Sequence, residues 1–318
     1  MRENELIDWI SQNVGKHPSV PLGIGDDMAM VHVPTGEVLL KIDQALDQVH
    51  FDLRTHSPAQ AGRKAVNRCL SDCAAMACLP AAFLVSVALP RGFDVSKAKE
   101  LFIGCRDAAA VFDCPLVGGD TAVWDQRLAI SVAAMGASTG RTITRNTAEP
   151  GDAICVSGQL GGSILSRHMN FVPRVKLSRE LIHGLRLHAL MDISDGLAMD
   201  LQRLLSASKC GATIYADKIP IHPDAIKLAE TDGKPAIWHA MCDGEDYELL
   251  FTISISETEK LKTLSLEAPI SVIGTINKTS DLVFLDKTGA KIPWPEGGWE
   301  HGAMENREPQ TVDKTQAI

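Results

Sequence analysis

Carboxylates beside glycine, or at the end of an apolar run, recur along this chain. They fall in Gly23-Ile-Gly-Asp-Asp27, Lys41-Ile-Asp43-Gln-Ala-Leu-Asp47, Leu70-Ser-Asp72, Gly118-Gly-Asp-Thr121, Met191-Asp-Ile-Ser-Asp-Gly-Leu197 and Asp243-Gly-Glu-Asp-Tyr-Glu248. A carboxylate at the edge of an apolar core is costly to desolvate unless something pairs with it. The acidic residues of these segments outnumber the basic residues near them, so a divalent cation is the expected partner. Hard oxygen ligands suit magnesium, which keeps several waters and shares the rest of its shell with substrate phosphates. The pattern predicts a site that handles phosphate.

Composition narrows the class. With 318 residues the chain is long enough for two ordinary domains, and 45% hydrophobic with 22% charged residues is globular. A net charge of -9 argues against a nucleic-acid surface or an anionic membrane as the main partner. The first ten residues mix charges, and no later run approaches the roughly 18 apolar residues of a membrane span, so a cytoplasmic, unexported protein is expected. The eight cysteines include no Cys-x-x-Cys pair and fit reduced, buried thiols. Cys69 and Cys73 are one turn apart, but no second ligand pair has the spacing of a metal site.

The elements that must position these groups can be read from periodicity. Leu6, Ile7, Ile10 and Val14 have helical spacing, and Pro18 and Pro21 end that helix. Val38 to Ile42 alternates as a strand, which puts Lys41 and Asp43 on one face. Ser57-Pro58 starts a helix expected to run to about Ala77 with Asp72 on it. A strand over Ala82 to Leu89, a helix capped by Asp94 and running to about Phe112, and a strand over Leu128 to Met135 follow. Thr144 to Asp152 is polar and reads as a domain boundary. Beyond it come a strand over Ala153 to Ser157, a glycine-rich turn over Gly158 to Gly162, a helix capped by Ser194 or Asp195 and ending near Cys210-Gly211, and a strand over Glu248 to Ile255. The expected organisation is an N-terminal domain (1–143), a C-terminal α/β domain (144–303) and a flexible tail (304–318); the resemblance described below implies that the first binds ATP and metal.

Each motif also has a plainer reading. Gly-Asp sequences usually form tight turns whose aspartates bond nearby amides. Asp72 could pair with Arg68 one turn earlier, worth about 0.3 to 0.5 kcal/mol. Gly118 to Thr121 could be a turn between strands, or a set of backbone amides on a phosphate with Asp120 on a metal. Asp195 could be an N-cap, Glu245, Asp246 and Glu248 a solvated turn, and Trp294 and Trp299 packing residues. The chain has no Gly-x4-Gly-Lys-Ser/Thr loop, no third glycine after Gly23-Ile-Gly25, and no protein-kinase catalytic loop.

Taken in order, Gly-Ile-Gly-Asp-Asp, Asp43 with His50-Phe51, Leu-Ser-Asp-x-Ala-Ala-Met, Gly-Gly-Asp-Thr, Asp-Ile-Ser-Asp-Gly-Leu and Gly-Glu-Asp-Tyr-Glu-Leu resemble the thiamine-monophosphate kinase family over roughly Gly23 to Trp299. That family shares an ATP-using superfamily with aminoimidazole ribonucleotide synthetase. The resemblance implies an α/β (α+β) two-domain fold that forms a homodimer through the N-terminal sheet. It implies ATP-dependent phosphorylation of thiamine monophosphate to thiamine diphosphate, with several magnesium ions. Asp27, Asp43, Asp72, Asp120, Asp192 and Asp195 would surround the metal ions, and all of these but Asp192 would be catalytic. Gly119, Asp120, Arg145 and Ser194 would lie near ATP. His50, Glu245 and Trp299 would lie near the thiamine phosphate.

The chain departs from the family pattern at several points. Lys41 and Ile42 replace two hydroxyl residues before the strand aspartate, Cys69 replaces an asparagine, and Phe112 replaces a tyrosine. Gly161-Gly162-Ser163 stands where the family has Gly-Asp-Ser, and the segment from Ser163 to Arg174 is short. Two other readings stay open at this level: a sibling ATP-using enzyme with another small substrate, and a nucleotide-binding relative without catalysis.

Overall fold

The computed structural model describes residues 3–22, 31–33, 36–138 and 140–298. Asp27, Trp299 and the expected tail lie outside them.

The N-terminal half contains α1 (Glu3–Asn13), β1 (Val38–Leu46), α2 (Pro58–Ala75), β2 (Leu79–Pro90), α3 (Val95–Ala110), β3 (Leu116–Trp124) and β4 (Ala129–Ala137). Its sheet has the order β1-β4-β2-β3, with β2 and β3 parallel and the other pairs antiparallel. Helices α2 and α3 pack on one face, where Val66, Leu70, Phe83, Val85, Leu101 and Ile130 form a buried core. The start of α2 is fixed locally: the Ser57 hydroxyl accepts from the Gln60 amide while the Gln60 side chain accepts from the Ser57 amide.

The C-terminal half contains β5 (Asp152–Ser157), α4 (Arg167–Asn170), α5 (Val175–Gly184), β6 (Leu187–Ile193), α6 (Leu197–Ser208), β7 (Gly211–Tyr215), α7 (Pro223–Asp232), α8 (Ala236–Cys242), β8 (Glu248–Ser254), α9 (Thr258–Leu261), β9 (Ile270–Asn277) and β10 (Leu282–Leu285). The sheet order is β10-β7-β9-β5-β8-β6, and only β10 and β7 run parallel. Strands β5 and β6 are buried at every residue, and the polar ones among them are bonded: Asp152 to His188, Ser157 to Glu248 and Asp192 to Ser71. The polar connection over Thr144 to Asp152 docks on this half: the Leu190 amide donates to the Thr144 carbonyl and the Ala148 amide to the Ser208 hydroxyl.

Two local expectations are corrected. Gly118-Gly119-Asp120-Thr121 is not a turn but the middle of the edge strand β3, in register with Leu84 to Val87 of β2. Gly119 is required by crowding, since a Cβ there would lie 1.9 Å from the Val85 carbonyl oxygen. Neither Ser194 nor Asp195 caps α6. The cap position is Gly196. The buried Asp200 carboxylate reaches back from the first turn to accept the Ser194 and Asp195 amides, at 3.0 and 2.9 Å.

Candidate active site

Helix α2 is the element around which the site is built. Lys64, Arg68, Ser71 and Asp72 follow one another at helical spacing, so they form a polar stripe on a helix whose other residues are largely buried and apolar. Each member of the stripe reaches a different segment. The Lys64 Nζ, completely buried, lies 2.7 Å from Glu245 Oε1 and 2.9 Å from Oε2. Arg68 donates to the Gln44 carbonyl of β1, with Asp43, Glu245 and Asp195 supplying negative charge around it. The Ser71 hydroxyl donates to Asp192 Oδ2 at 2.6 Å. Asp72 pairs with Lys41 at 3.0 Å, and not with Arg68 as the helix spacing alone allows. One helix of the first half therefore fixes carboxylates belonging to the second.

Strand alternation places Lys41 and Asp43 on the α2 side of the first sheet, as the sequence predicts, with Lys41 Nζ 3.8 Å from Asp43 Oδ1. Asp43, Asp72 and Asp192 meet there. Burial pushes the Asp72 carboxyl well up from the usual range, the Asp192 charge adds to this, and the Lys41 ammonium pulls it back. Asp192 is likewise raised, chiefly by burial, and the Ser71 hydrogen bond opposes the rise. Carboxylates whose charges act on one another at this cost favour a cation nearby. Among the described residues, no three acidic, histidine or cysteine side chains stand close enough to enclose a metal ion by themselves. The oxygen donors suit magnesium in kind, while the Asp43 and Asp72 pair already holds the Lys41 ammonium.

Asp195 follows Asp192 on the loop into α6 and is bound by Arg203, which also bonds Asp200 at 2.8 Å. Ser194 is fixed from both sides: its amide donates to Asp200 and its carbonyl accepts from the Glu245 amide at 2.7 Å. The turn carrying Glu245 wraps this loop. The Tyr247 amide donates to the Ile193 carbonyl, and Gly244, Glu245 and Tyr247 all have positive φ, at 73°, 54° and 52°. For the two side-chain-bearing residues such a conformation costs on the order of 1 to 3 kcal/mol each. That cost is met by packing: Tyr247 is buried and stacks on Phe171 with ring centroids 3.7 Å apart.

The acidic run Asp243 to Glu248 divides by role, which its sequence does not show. Glu248 is clamped by Arg174 through two hydrogen bonds and by the Ser157 hydroxyl. Asp246, buried, accepts from the Gly161 amide and from Arg167. Asp243 accepts from the Gly162 amide and bonds His239. The amides of the glycine-rich turn are thus tied to carboxylates of the chain itself. Glu245 alone of these four is directed at α2.

The remaining expected site residues stand apart. Asp120 is exposed on β3, in a cross-strand row with Ser86, Ser131 and Gln44, on the face of the sheet opposite Asp43. Gly119 lies one residue before it on the same edge strand. Arg145 is an exposed turn residue whose carbonyl accepts from Ser208. His50 is buried in the turn after β1, its Nδ1 accepting from the Leu46 amide at 3.1 Å.

The sequence reading missed Lys64, Arg68, Ser71, Asp200 and Arg203. A signal existed for two of them: basic residues at positions 64 and 68 on an otherwise apolar, alanine-rich helix cannot be buried without acidic partners. Asp200 resembles any acidic residue in a first helical turn.

Residues 25–138 match the family model of the AIR synthase related protein N-terminal domain, and residues 149–287 that of the C-terminal domain. Thiamine-monophosphate kinase of Rhodopirellula baltica is 35% identical over 86% of this chain and 89% of its own length. The chain belongs to the thiamine-monophosphate kinase family. The Bacillus subtilis member is 32% identical over 95% of this chain and 99% of its own. The Aquifex aeolicus family member, solved with AMPPCP and TMP, superposes with a TM-score of 0.74 at 30% identity, covering 95% of this chain and 99% of that one. The family resemblance thus extends through both halves and across the junction where α2 meets β6 and the 243–247 turn.

Proposed function

We infer that this chain phosphorylates thiamine monophosphate to thiamine diphosphate with ATP, by direct transfer between bound substrates. The observation that carries this reading is the meeting of Asp43, Asp72 and Asp192, drawn from both family domains, in a chain whose relatives are thiamine-monophosphate kinases. The acceptor is a phosphate oxygen, largely ionised at neutral pH, so the protein has little need of a general base. Its work is to position two anions in line and to offset their charge.

Asp43, Asp72 and Asp192 would hold magnesium, with Asp27 and Asp195 as further carboxylates of the set, while Asp120, on the opposite face of the sheet, is not brought to them within one chain. When bound, magnesium neutralises and orients the transferring phosphoryl group. Ser194, held on both sides of its peptide, and Arg145, exposed at the domain connection, are assigned to ATP together with Gly119 and Asp120. Glu245 is assigned to the thiamine phosphate with His50 and Trp299; Lys64 fixes its carboxylate on the side facing α2. The three acidic neighbours of Glu245 are consumed in holding their own turn.

A homodimer is part of this proposal. The outer face of the first sheet carries Leu40 and Ile42, 81% and 69% exposed, beside Val38 and Leu84. Adjacent large apolar residues at such exposure mark a surface that a second copy would cover. Asp120 stands on that face, so in the dimer it is turned toward the second copy.

Purified protein given ATP, magnesium and thiamine monophosphate, followed by phosphorus NMR, should form thiamine diphosphate, and Asp43→Asn should not. Binding of ATP without product in the unaltered protein would overturn the substrate assignment.

A further inference from the structure

Lys41 stands where two of the site's carboxylates meet. Its side chain leaves β1 on the α2 face, and its Nζ lies 3.0 Å from Asp72 Oδ2 and 3.8 Å from Asp43 Oδ1. The side chain is 37% exposed, and its contacts at the tip are these two carboxylates.

The charges around this point have a definite balance. Asp43, Asp72, Asp192, Asp195, Asp200 and Glu245 are offset within the chain by Lys41, Lys64, Arg68 and Arg203. Lys64 is committed to Glu245 and Arg203 to Asp195 and Asp200, which leaves Lys41 and the more distant Arg68 for the group formed by Asp43, Asp72 and Asp192. A magnesium ion bonds carboxylate oxygens at about 2.0 to 2.1 Å in a strict octahedron. An ammonium lodged between the same two carboxylates fills that space and repels a second cation there.

We propose that the Lys41 ammonium is a resident counter-ion that replaces one divalent ion between Asp43 and Asp72, so that this chain completes its site with one metal ion fewer than its carboxylates would otherwise recruit. The proposal rests on the reading of the site as a metal-dependent phosphotransfer centre. A tethered cation needs no dehydration and is already present at every magnesium concentration, whereas a free ion must be captured. Asp192, whose Oδ2 accepts from the Ser71 hydroxyl, stays available to metal, and Asp43 and Asp72 each keep a second oxygen for the ions that remain.

The test counts metal ions without requiring turnover. Manganese is titrated into the full-length protein in the presence of AMPPCP, and free manganese is followed by electron paramagnetic resonance. Lys41→Thr, which puts a small hydroxyl in the strand, is expected to bind one more manganese per chain than the unaltered protein, and Lys41→Arg is expected to match the unaltered protein. Equal counts in the threonine variant and the unaltered protein overturn the proposal, as does an arginine variant that gains the ion. Lys41→Met serves the same purpose if the threonine variant does not fold. Failure to phosphorylate thiamine monophosphate would leave these counts unaffected, so the two readings fail separately.

Discussion

Replacing Lys64 with methionine should separate the structural from the substrate-directed role of the α2 stripe. The ammonium is completely buried and bonds Glu245, whose side chain is 27% exposed. Burial depresses the Lys64 pKa and the Glu245 charge opposes that shift, so the pair is held together by mutual need. Removing one partner of a buried pair costs about 3 to 5 kcal/mol. Partial exposure lets water recover some of the Glu245 solvation, and methionine fills the space of the lysine stem, which brings the expected loss to about 2 kcal/mol. At roughly 2 °C per kcal/mol for a unit of this size, the first thermal transition should fall by about 4 °C. Adding Glu245→Met should restore much of that loss, because two apolar groups of similar volume replace a buried pair with little penalty. Calorimetry of the two single variants and the double variant gives the coupling energy directly. In parallel, KM for thiamine monophosphate should rise in Lys64→Met, because Glu245 loses the ammonium that fixes it. A coupling energy below about 0.5 kcal/mol would refute the reasoning, since the pair would then contribute no more than an exposed contact.

Two further outcomes follow from the same structure. His168 is buried with its Nδ1 against the Ser163 carbonyl, and burial together with the Lys64 charge holds its pKa down to about 4. An unfolded histidine titrates near 6.5, so the unfolded chain binds the extra proton between those values and stability declines as pH falls from about 6.5 to 4, by about 3 kcal/mol in all. The raised Asp72, Asp192 and Asp200 carboxyls titrate in the same window with the opposite sign, so the readout is the difference between the unaltered protein and His168→Gln. Relative to the unaltered protein, His168→Gln should gain stability in urea unfolding as pH falls from about 6.5 to 4, and a constant difference would exclude His168 as the source. Charging the outer face of the first sheet with Leu40→Lys and Ile42→Lys should yield a monomer by light scattering with native circular dichroism, whereas an unchanged mass would remove that face from the dimer interface.

Local structure was legible wherever neighbours in sequence decide it. Ser57-Pro58 gave the start of α2, Asp94 the start of α3, and the alternation through Val38 to Ile42 the shared face of Lys41 and Asp43. The expectations that failed are those in which a distant segment outweighs a local motif. Gly118-Gly119 looks like a turn, yet pairing with β2 holds it extended, and the lack of a side chain at Gly119 is what lets the two backbones approach. Ser194-Asp195 looks like a cap, yet Asp200 supplies the acceptor because the loop is pulled toward the 243–247 turn.

The sequence by itself determined the family, the two-part organisation and the stock of carboxylates, because motif order and hydrophobic period are properties of the chain read in one dimension. Only the tertiary structure decided what each carboxylate is bound to. Glu245 finds Lys64 at a separation of 181 residues and Asp192 finds Ser71 at 121, while Asp243, Asp246 and Glu248, alike in sequence, are spent on His239, Arg167 and Arg174. A carboxylate must be neutralised or hydrogen-bonded once it is buried, and burial is fixed by packing between elements that are far apart along the chain.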